Sequence, residues 1–162
     1  MPESVLGLPI HPLVVHGAIV LVPLASILTI VIAASPDRRV RLGWLTWFLA
    51  SASAGAAFAA KQSGSKLEET LYPDVLPPLV AEHKGLGEDT VWFVIALWLA
   101  VTALLLIDLD YRRRSGVSSP VLPTLVAVVA ILAAMAATGQ VLLTGWAGAE
   151  SRWSGVVDTE GS

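Results

Sequence analysis

The three histidines of this chain lie at polar interruptions of strongly apolar sequence. His11 and His16 occur in "IHPLVVHG", at the start of a run of valine, leucine and isoleucine, and His83 occurs in "VAEHKGLG". An imidazole left unpaired in an apolar setting is costly, and neutral imidazole is a common ligand of zinc, copper, iron and haem. These residues therefore predict a site of metal or cofactor chemistry.

Two histidines from different helices can hold haem b on both of its axial sides, and the cores of helix bundles often house such sites. We expect His16 and His83 to form this pair, because they come from different helices at comparable depth. Pro12 suits the first position of a helix, which places His11 at the helix boundary beside the ligands. The candidates to pair with the haem propionates at the outer rim are Lys84, Arg152 and Lys66.

A metal ion without a macrocycle is a second possibility. Zinc or another divalent ion takes nitrogen and oxygen ligands, and the candidates are His11, His16, His83, Glu82 and Glu150. The chain has no H-E-x-x-H pairing, and Cu(I) would favour methionine or cysteine ligands. A third possibility is that each histidine only closes a hydrogen bond to a neighbouring carbonyl or carboxylate.

The composition indicates that membrane-spanning helices position these residues. Of 162 residues, 55% are hydrophobic and 14% are charged, against about 25% charged in soluble domains. A span needs roughly 20 mostly apolar residues, and four stretches qualify, at about 13–34, 42–60, 90–107 and 121–143. We predict an all-α fold, a four-helix integral membrane bundle that forms one domain over residues 1–162 with an outer loop at 61–89.

Several functional classes are disfavoured by the same composition. A net charge of −3 and the lack of a basic stripe argue against nucleic-acid binding. The absence of cysteine removes disulfides, iron–sulfur ligation and thiolate chemistry. Four spans without broken helices are few for a transporter. Without a G-x-S-x-G elbow or a nucleophile beside a base, no catalytic residue is assigned and enzymatic activity stays open.

The arginines predict an orientation in the membrane. The connections "SPDRRVR" and "DLDYRRRSG" hold three arginines each, on one side of a four-span bundle, and the remaining four of the ten lysines and arginines lie on the other side. Short basic loops stay in the cytoplasm. We expect a multi-pass protein of the inner (plasma) membrane, with both termini and the histidines outward and the lipid bilayer as its partner.

The second and fourth spans carry small side chains, in "ASASAGAAFAA" and "AVVAILAAMAATG". Small residues let membrane helices approach closely, so these faces predict tight packing within the bundle. Two other interpretations stay open: the faces leave room for a flat cofactor, or they dock onto a larger membrane complex or a second copy of the chain.

The segment "LPIHPLVVHGAIVLVPLA" resembles the opening H-P-x-x-x-H signature of the bacterial membrane family called domain of unknown function 2231. The likeness continues through "SGSKLEETL" and "EHKGLG" and closes with "TGWAGAESRWSG", so it spans nearly the whole chain. It implies a four-helix membrane protein in which His11, Pro12 and His16 match the opening motif and His83 matches the histidine before the third span. Trp146 departs from the pattern, since many relatives have histidine in that closing element.

Some members of that family look joined to Rieske iron–sulfur domains, which implies a place near electron transfer. Two functions from different classes follow. In the first, the protein is a haem- or metal-binding, redox-associated membrane component. In the second, it is an accessory subunit of a larger, respiratory-type membrane complex that carries no cofactor of its own.

Overall fold

The structure, a computed structural model, describes residues 4–5, 8–113 and 121–157. Within these residues two short strands, β1 and β2, pair antiparallel directly before the first of four helices, α1 to α4. All four of these helices are long and apolar enough to cross a membrane, which confirms the predicted all-helical bundle of membrane spans. The elements are β1 (Ser4–Val5), β2 (Leu8–Pro9), α1 (Ile10–Ala34), α2 (Pro36–Leu71), α3 (Pro78–Arg113) and α4 (Val121–Val157).

Prolines set several helix boundaries. A residue before proline is driven away from helical conformation, and Ser35 is accordingly extended, with φ −143° and ψ 114°. Pro36 then opens α2, because the first helical position does not need an N–H donor, and the backbone N–H of Arg38 donates to the Ser35 hydroxyl. Tyr72 leaves the helix in the same way before the next proline, and Pro78 opens α3.

The helices extend well beyond the predicted spans. The segment 61–89, expected as an outer loop, is helical except for residues 72–77, and α4 continues past 143 to Val157. Hydropathy identifies only the part of a helix suited to hydrocarbon, whereas polar sequence such as "KQSGSKLEETL" contains helix formers that continue the helix into water. We call the end with these extensions, which contains His11 and His83, the histidine end. The opposite end, which contains Arg39 and Arg112, is the basic end.

The four helices form a ring. Each helix packs against the preceding and the following one, and α4 closes the ring on α1, whereas α1 and α3 barely touch. The diagonal pairs are therefore α1 with α3 and α2 with α4. Side chains that meet between α1 and α3 must cross the centre of the bundle.

Small residues of α2 and α4 pack against larger residues of α1 and α3 in the core. Part of the small-residue faces packs inside the bundle, as the sequence predicted for tight packing: the buried alanines are Ala50, Ala57, Ala130, Ala134 and Ala137. Side chains of all four helices meet in the middle of the bundle. The central cluster includes Val22, Ala25, Ala50, Ala57, Val94, Leu97, Val101, Ala134, Ala137 and Val141.

The close packing of α4 leads to a stability prediction. Ala137 is fully buried, whereas its neighbour Ala136 is exposed. We expect Ala137→Leu to lower the free energy of unfolding by about 1–3 kcal/mol, because extra methylenes in a filled core force neighbours apart. Ala136→Leu should change it by less than about 0.5 kcal/mol. Thermal unfolding in detergent micelles, followed by circular dichroism, measures both, and equal melting temperatures would contradict the packing described.

Candidate metal centre at the histidine end

His11 and His83 meet across the diagonal of the bundle. Their ring centroids are 6.3 Å apart and the ring planes are inclined by 70°. His11 projects from the first turn of α1 and His83 from the first two turns of α3, and both side chains are half-buried. Two imidazoles from non-adjacent helices therefore face each other at the centre of the histidine end.

Backbone carbonyls on the neighbouring helices hold both rings. His11 Nδ1–H donates to the carbonyl of Ala60 in α2 at 3.0 Å, with the Ser63 hydroxyl 3.2 Å away. His83 Nδ1–H donates to the carbonyl of Thr144 in α4 at 3.0 Å. A carbonyl can only accept, so each neutral ring carries its proton on Nδ1 and keeps the lone pair of Nε2 available.

Two glycines lie directly against the histidine rings. A methyl group at Gly64 in α2 would lie 3.0 Å from His11 Cε1, and one at Gly148 in α4 would lie 2.9 Å from His83 Cε1. The backbones of α2 and α4 thus flank the two rings, which project from α1 and α3. A methyl group at Gly148 would force a shift against the imidazole of His83, and one at Gly64 would make a tight contact with that of His11.

A polar cluster between α3 and α4 supports His83. The carbonyl of Leu86 accepts hydrogen bonds from the hydroxyls of Thr90 (2.8 Å) and Thr144 (3.1 Å) and from Gln140 Nε2 (3.1 Å). The two threonine hydroxyls are also 2.8 Å apart. Because Thr144 supplies the carbonyl that binds His83, this cluster fixes the ring through α4.

Sequence reasoning missed this support, although a signal for it was present. Gln140, Thr144 and Gly148 follow one another at intervals of four, which places them along one stripe of a helix. Ala60 and Gly64 have the same spacing on α2. A stripe of polar and small residues near the end of an apolar span is the pattern that packs against a ring from another helix.

The contact at Gly148 gives a direct test of how His83 is held. We expect Gly148→Ala to push the ring and break its 3.0 Å hydrogen bond to Thr144, because a contact below 3.0 Å forces one partner to move. The nitrogen NMR resonances of His83 in histidine-labelled protein should shift. Gly139→Ala is the matched control on α4, since no atom lies within 4 Å of a methyl group there. An unchanged His83 signal in both variants would contradict the placement of the ring.

His16 lies elsewhere. It is exposed, and its Nδ1–H donates to the carbonyl of Pro12 in the same helix at 2.6 Å. Because α1 begins at Ile10, His11 is its second residue, at the start of the helix as the sequence predicted. Five helical residues turn the chain by about 140°, so His16 points away from His11. The structure thus pairs His83 with His11, whereas the sequence predicted the pair His16 and His83.

The remaining predicted site residues are Glu82, Glu150, Lys84 and Arg152. Among the described residues, no group of three or more histidines, aspartates or glutamates is close enough to hold a metal ion, so Glu82 and Glu150 do not complete a cluster with the histidines. Lys84 Nζ is 2.8 Å from Glu68 Oε1 in an ion pair at the surface. Arg152 is exposed on α4.

A second buried polar group lies at the basic end. The side chain of Arg39 is only 6% exposed. Its Nε donates to the carbonyl of Ile32 at 2.9 Å and its Nη2 to the carbonyl of Ala33 at 3.0 Å. Its Nη1 donates to Asp108 Oδ1 at 3.1 Å. These carbonyls belong to the last turn of α1, where no later N–H of the helix is available to donate to them. Arg39 thus caps α1 and joins it to α2 and α3. The sequence interpretation treated this arginine only as part of a basic loop.

Four helices closed into a ring, each long and apolar enough to cross a membrane, define a small multi-pass membrane protein. The chain belongs to the family described as Predicted membrane protein (DUF2231), whose family model matches residues 7–161. This match confirms the resemblance noted from the sequence. No curated protein and no solved structure matches the chain.

Proposed function

We propose that this membrane protein binds one metal centre between His11 and His83, through the Nε2 atom of each ring. The observation that carries the proposal is the pairing of two imidazoles that are both anchored through Nδ1 to backbone carbonyls. Histidines that bind metals nearly always donate their other ring N–H in this way, which fixes the tautomer and orients the ligand.

The separation of the rings supports the same proposal. Two imidazoles that bind one metal from opposite sides place their centroids about 6 Å apart, because each metal–nitrogen bond is about 2.0–2.1 Å long. The centroids of His11 and His83 are 6.3 Å apart.

With two protein ligands, the remaining coordination positions belong to water or to a macrocycle. Structural zinc sites use four protein ligands, whereas a site that keeps open positions serves exchange, catalysis or redox chemistry. Imidazole suits zinc, copper, iron and nickel, and copper binds most strongly among these divalent ions. A single transition-metal ion with water ligands needs less space than a macrocycle.

Haem b is the alternative to a single ion, because its macrocycle supplies the remaining ligands of the metal. Its edges would need space on both sides of the axis between the rings, where the backbones at Gly64 and Gly148 lie against the imidazoles. Haem binding therefore requires α2 and α4 to move apart at the histidine end. Lys84 would then exchange Glu68 for a propionate, and Arg152 would supply a second cation at the same end.

One preparation distinguishes these forms. The protein is purified in detergent, its absorption spectrum is recorded before and after dithionite, and its metal content is measured on the same sample. A Soret band with reducible α and β bands identifies haem b. A colourless sample with about one equivalent of copper, zinc, iron or nickel identifies a single ion. A sample that holds neither, and that takes up neither haem nor any of these ions when they are added, would overturn the proposal.

We further propose that the metal centre takes part in electron transfer. This role rests on the family resemblance, because some family members look joined to Rieske domains. The alternative role, an accessory subunit of a larger membrane complex, predicts a metal-free protein that co-purifies stoichiometrically with that complex. Part of the small-residue faces on which that role first rested packs inside the bundle, with Ala50, Ala57, Ala134 and Ala137 in its core. The contacts of His11 and His83 support the metal centre as the function proposed here.

We further propose that the histidine end faces outward across the plasma membrane, because the basic end carries the arginine-rich connections. The metal centre would then meet ions and electron carriers outside the cytoplasm. A reporter that is active only outside the cytoplasm, fused after Ser162, should be active. Activity of only a cytoplasmic reporter at that position would contradict this orientation.

A further inference from the structure

A groove opens between α2 and α3 at the basic end, far from the histidines. It encloses a cavity of about 520 Å³, and every lining residue belongs to one of these two helices. Its wall is largely apolar and aromatic, with Trp44, Leu105, Leu106 and Leu109. Trp44 is 76% exposed, so the wall opens toward the surroundings of the bundle.

The rim of this groove is positively charged. Arg112 Nε donates to Asp108 Oδ2 at 2.7 Å, and Arg112 Nη2 donates to the carbonyl of Pro36 at 3.0 Å. Asp108 also accepts from the buried Arg39, so one carboxylate is shared by two guanidinium groups and the trio carries a net positive charge. Arg39 is enclosed by its three bonds, whereas the side chain of Arg112 is 43% exposed and can meet a ligand.

The wider surroundings have the same sign of charge. At the basic end, the described residues include more arginines than aspartates on the facing ends of α2 and α3. The arginines are Arg38, Arg39, Arg41, Arg112 and Arg113, and the aspartates are Asp37, Asp108 and Asp110. An apolar wall that ends in a cationic rim matches a molecule with a hydrocarbon chain and an anionic head.

We propose that this groove binds one anionic phospholipid, with an acyl chain against the apolar wall and the phosphate beside Arg112. Basic pockets between membrane helices bind anionic head groups in this way, and the cavity has the size of a small-molecule site. The position at the helix ends places the phosphate at head-group depth. This inference does not depend on the metal centre, which lies at the opposite end.

Native mass spectrometry of protein released from micelles with equal amounts of phosphatidylglycerol and phosphatidylcholine tests the proposal. The natural chain should retain one phosphatidylglycerol about fivefold more often than phosphatidylcholine, the preference expected from one arginine near a membrane surface. Arg112→Gln should remove this preference. Arg113→Gln, the matched control, changes net charge equally at the next residue, outside the lining of the groove, and should keep it.

Trp44→Ala provides a second variant that leaves the arginines unchanged. It should lower the retention of phosphatidylglycerol severalfold, whereas Trp92→Ala, at an exposed tryptophan outside the groove, should not. Equal retention of the two lipids by the natural chain would overturn the proposal. So would an equal loss in Arg112→Gln and Arg113→Gln, or displacement of the lipid by soluble glycerol phosphate, which would indicate a site for free phosphate.

Discussion

Replacement of either His11 or His83 by alanine is expected to weaken metal binding by more than about 100-fold. Loss of a residue that only orients a ligand typically costs 10–100-fold in metal affinity, and each of these substitutions removes one of two protein ligands. The binding of the identified metal or of haem, measured by titration and by metal content after dialysis, reports the effect.

His16→Ala is the matched control, because His16 lies on the same helix and bonds only within it. Its affinity should stay within about twofold of the natural chain. The double variant of His11 and His83 should bind more weakly than either single variant, but by less than the sum of the two losses, because residues that share one site are strongly non-additive. Normal binding in His11→Ala together with loss in His16→Ala would restore the pair predicted from the sequence and contradict the present one.

Arg39→Ala is expected to cause the largest loss of stability. Removal of one partner of a buried ion pair costs up to about 3–5 kcal/mol. Asp108 keeps Arg112 as a partner, so the loss comes mainly from the last carbonyls of α1, which lose their donors. Unfolding by added sodium dodecyl sulfate in mixed micelles, followed by circular dichroism, measures the change.

Two further variants separate the cap from the charge. Arg38→Ala removes an exposed neighbouring arginine and should change stability by less than about 0.5 kcal/mol. Arg39→Lys keeps the positive charge but lacks the planar fork that reaches three acceptors, so it should lie between the natural chain and Arg39→Ala. Equal stability of Arg38→Ala and Arg39→Ala would contradict the capping role.

The membrane bundle was predictable because a hydrocarbon core imposes a simple requirement on sequence. Spans of roughly 20 apolar residues can cross it only as helices or closed barrels, and the four stretches met that requirement as helices. The close packing of small residues was predictable for a related reason, because small side chains let membrane helices approach each other closely. What hydropathy could not show is where a helix ends once it leaves the hydrocarbon, so the helical parts of 61–89 were expected to be a loop.

The pairing of the histidines depended on those ends. Depth in the membrane suggested His16 as the partner of His83, whereas the helical phase decides which ring faces the interior. With α1 starting at Ile10, His11 faces the centre and His16 does not. The carbonyl acceptors at Ala60 and Thr144 were equally hidden, because any residue has a carbonyl and only packing selects one.

X-ray absorption spectroscopy at the edge of the bound metal shows whether His11 and His83 are its ligands. We expect two imidazole nitrogens per metal at about 2.0–2.1 Å, whether the remaining ligands are water or a macrocycle. In His11→Ala or His83→Ala protein that retains some metal, we expect only one. A fit with no imidazole, or two imidazoles that persist in both variants, would contradict a metal centre between His11 and His83.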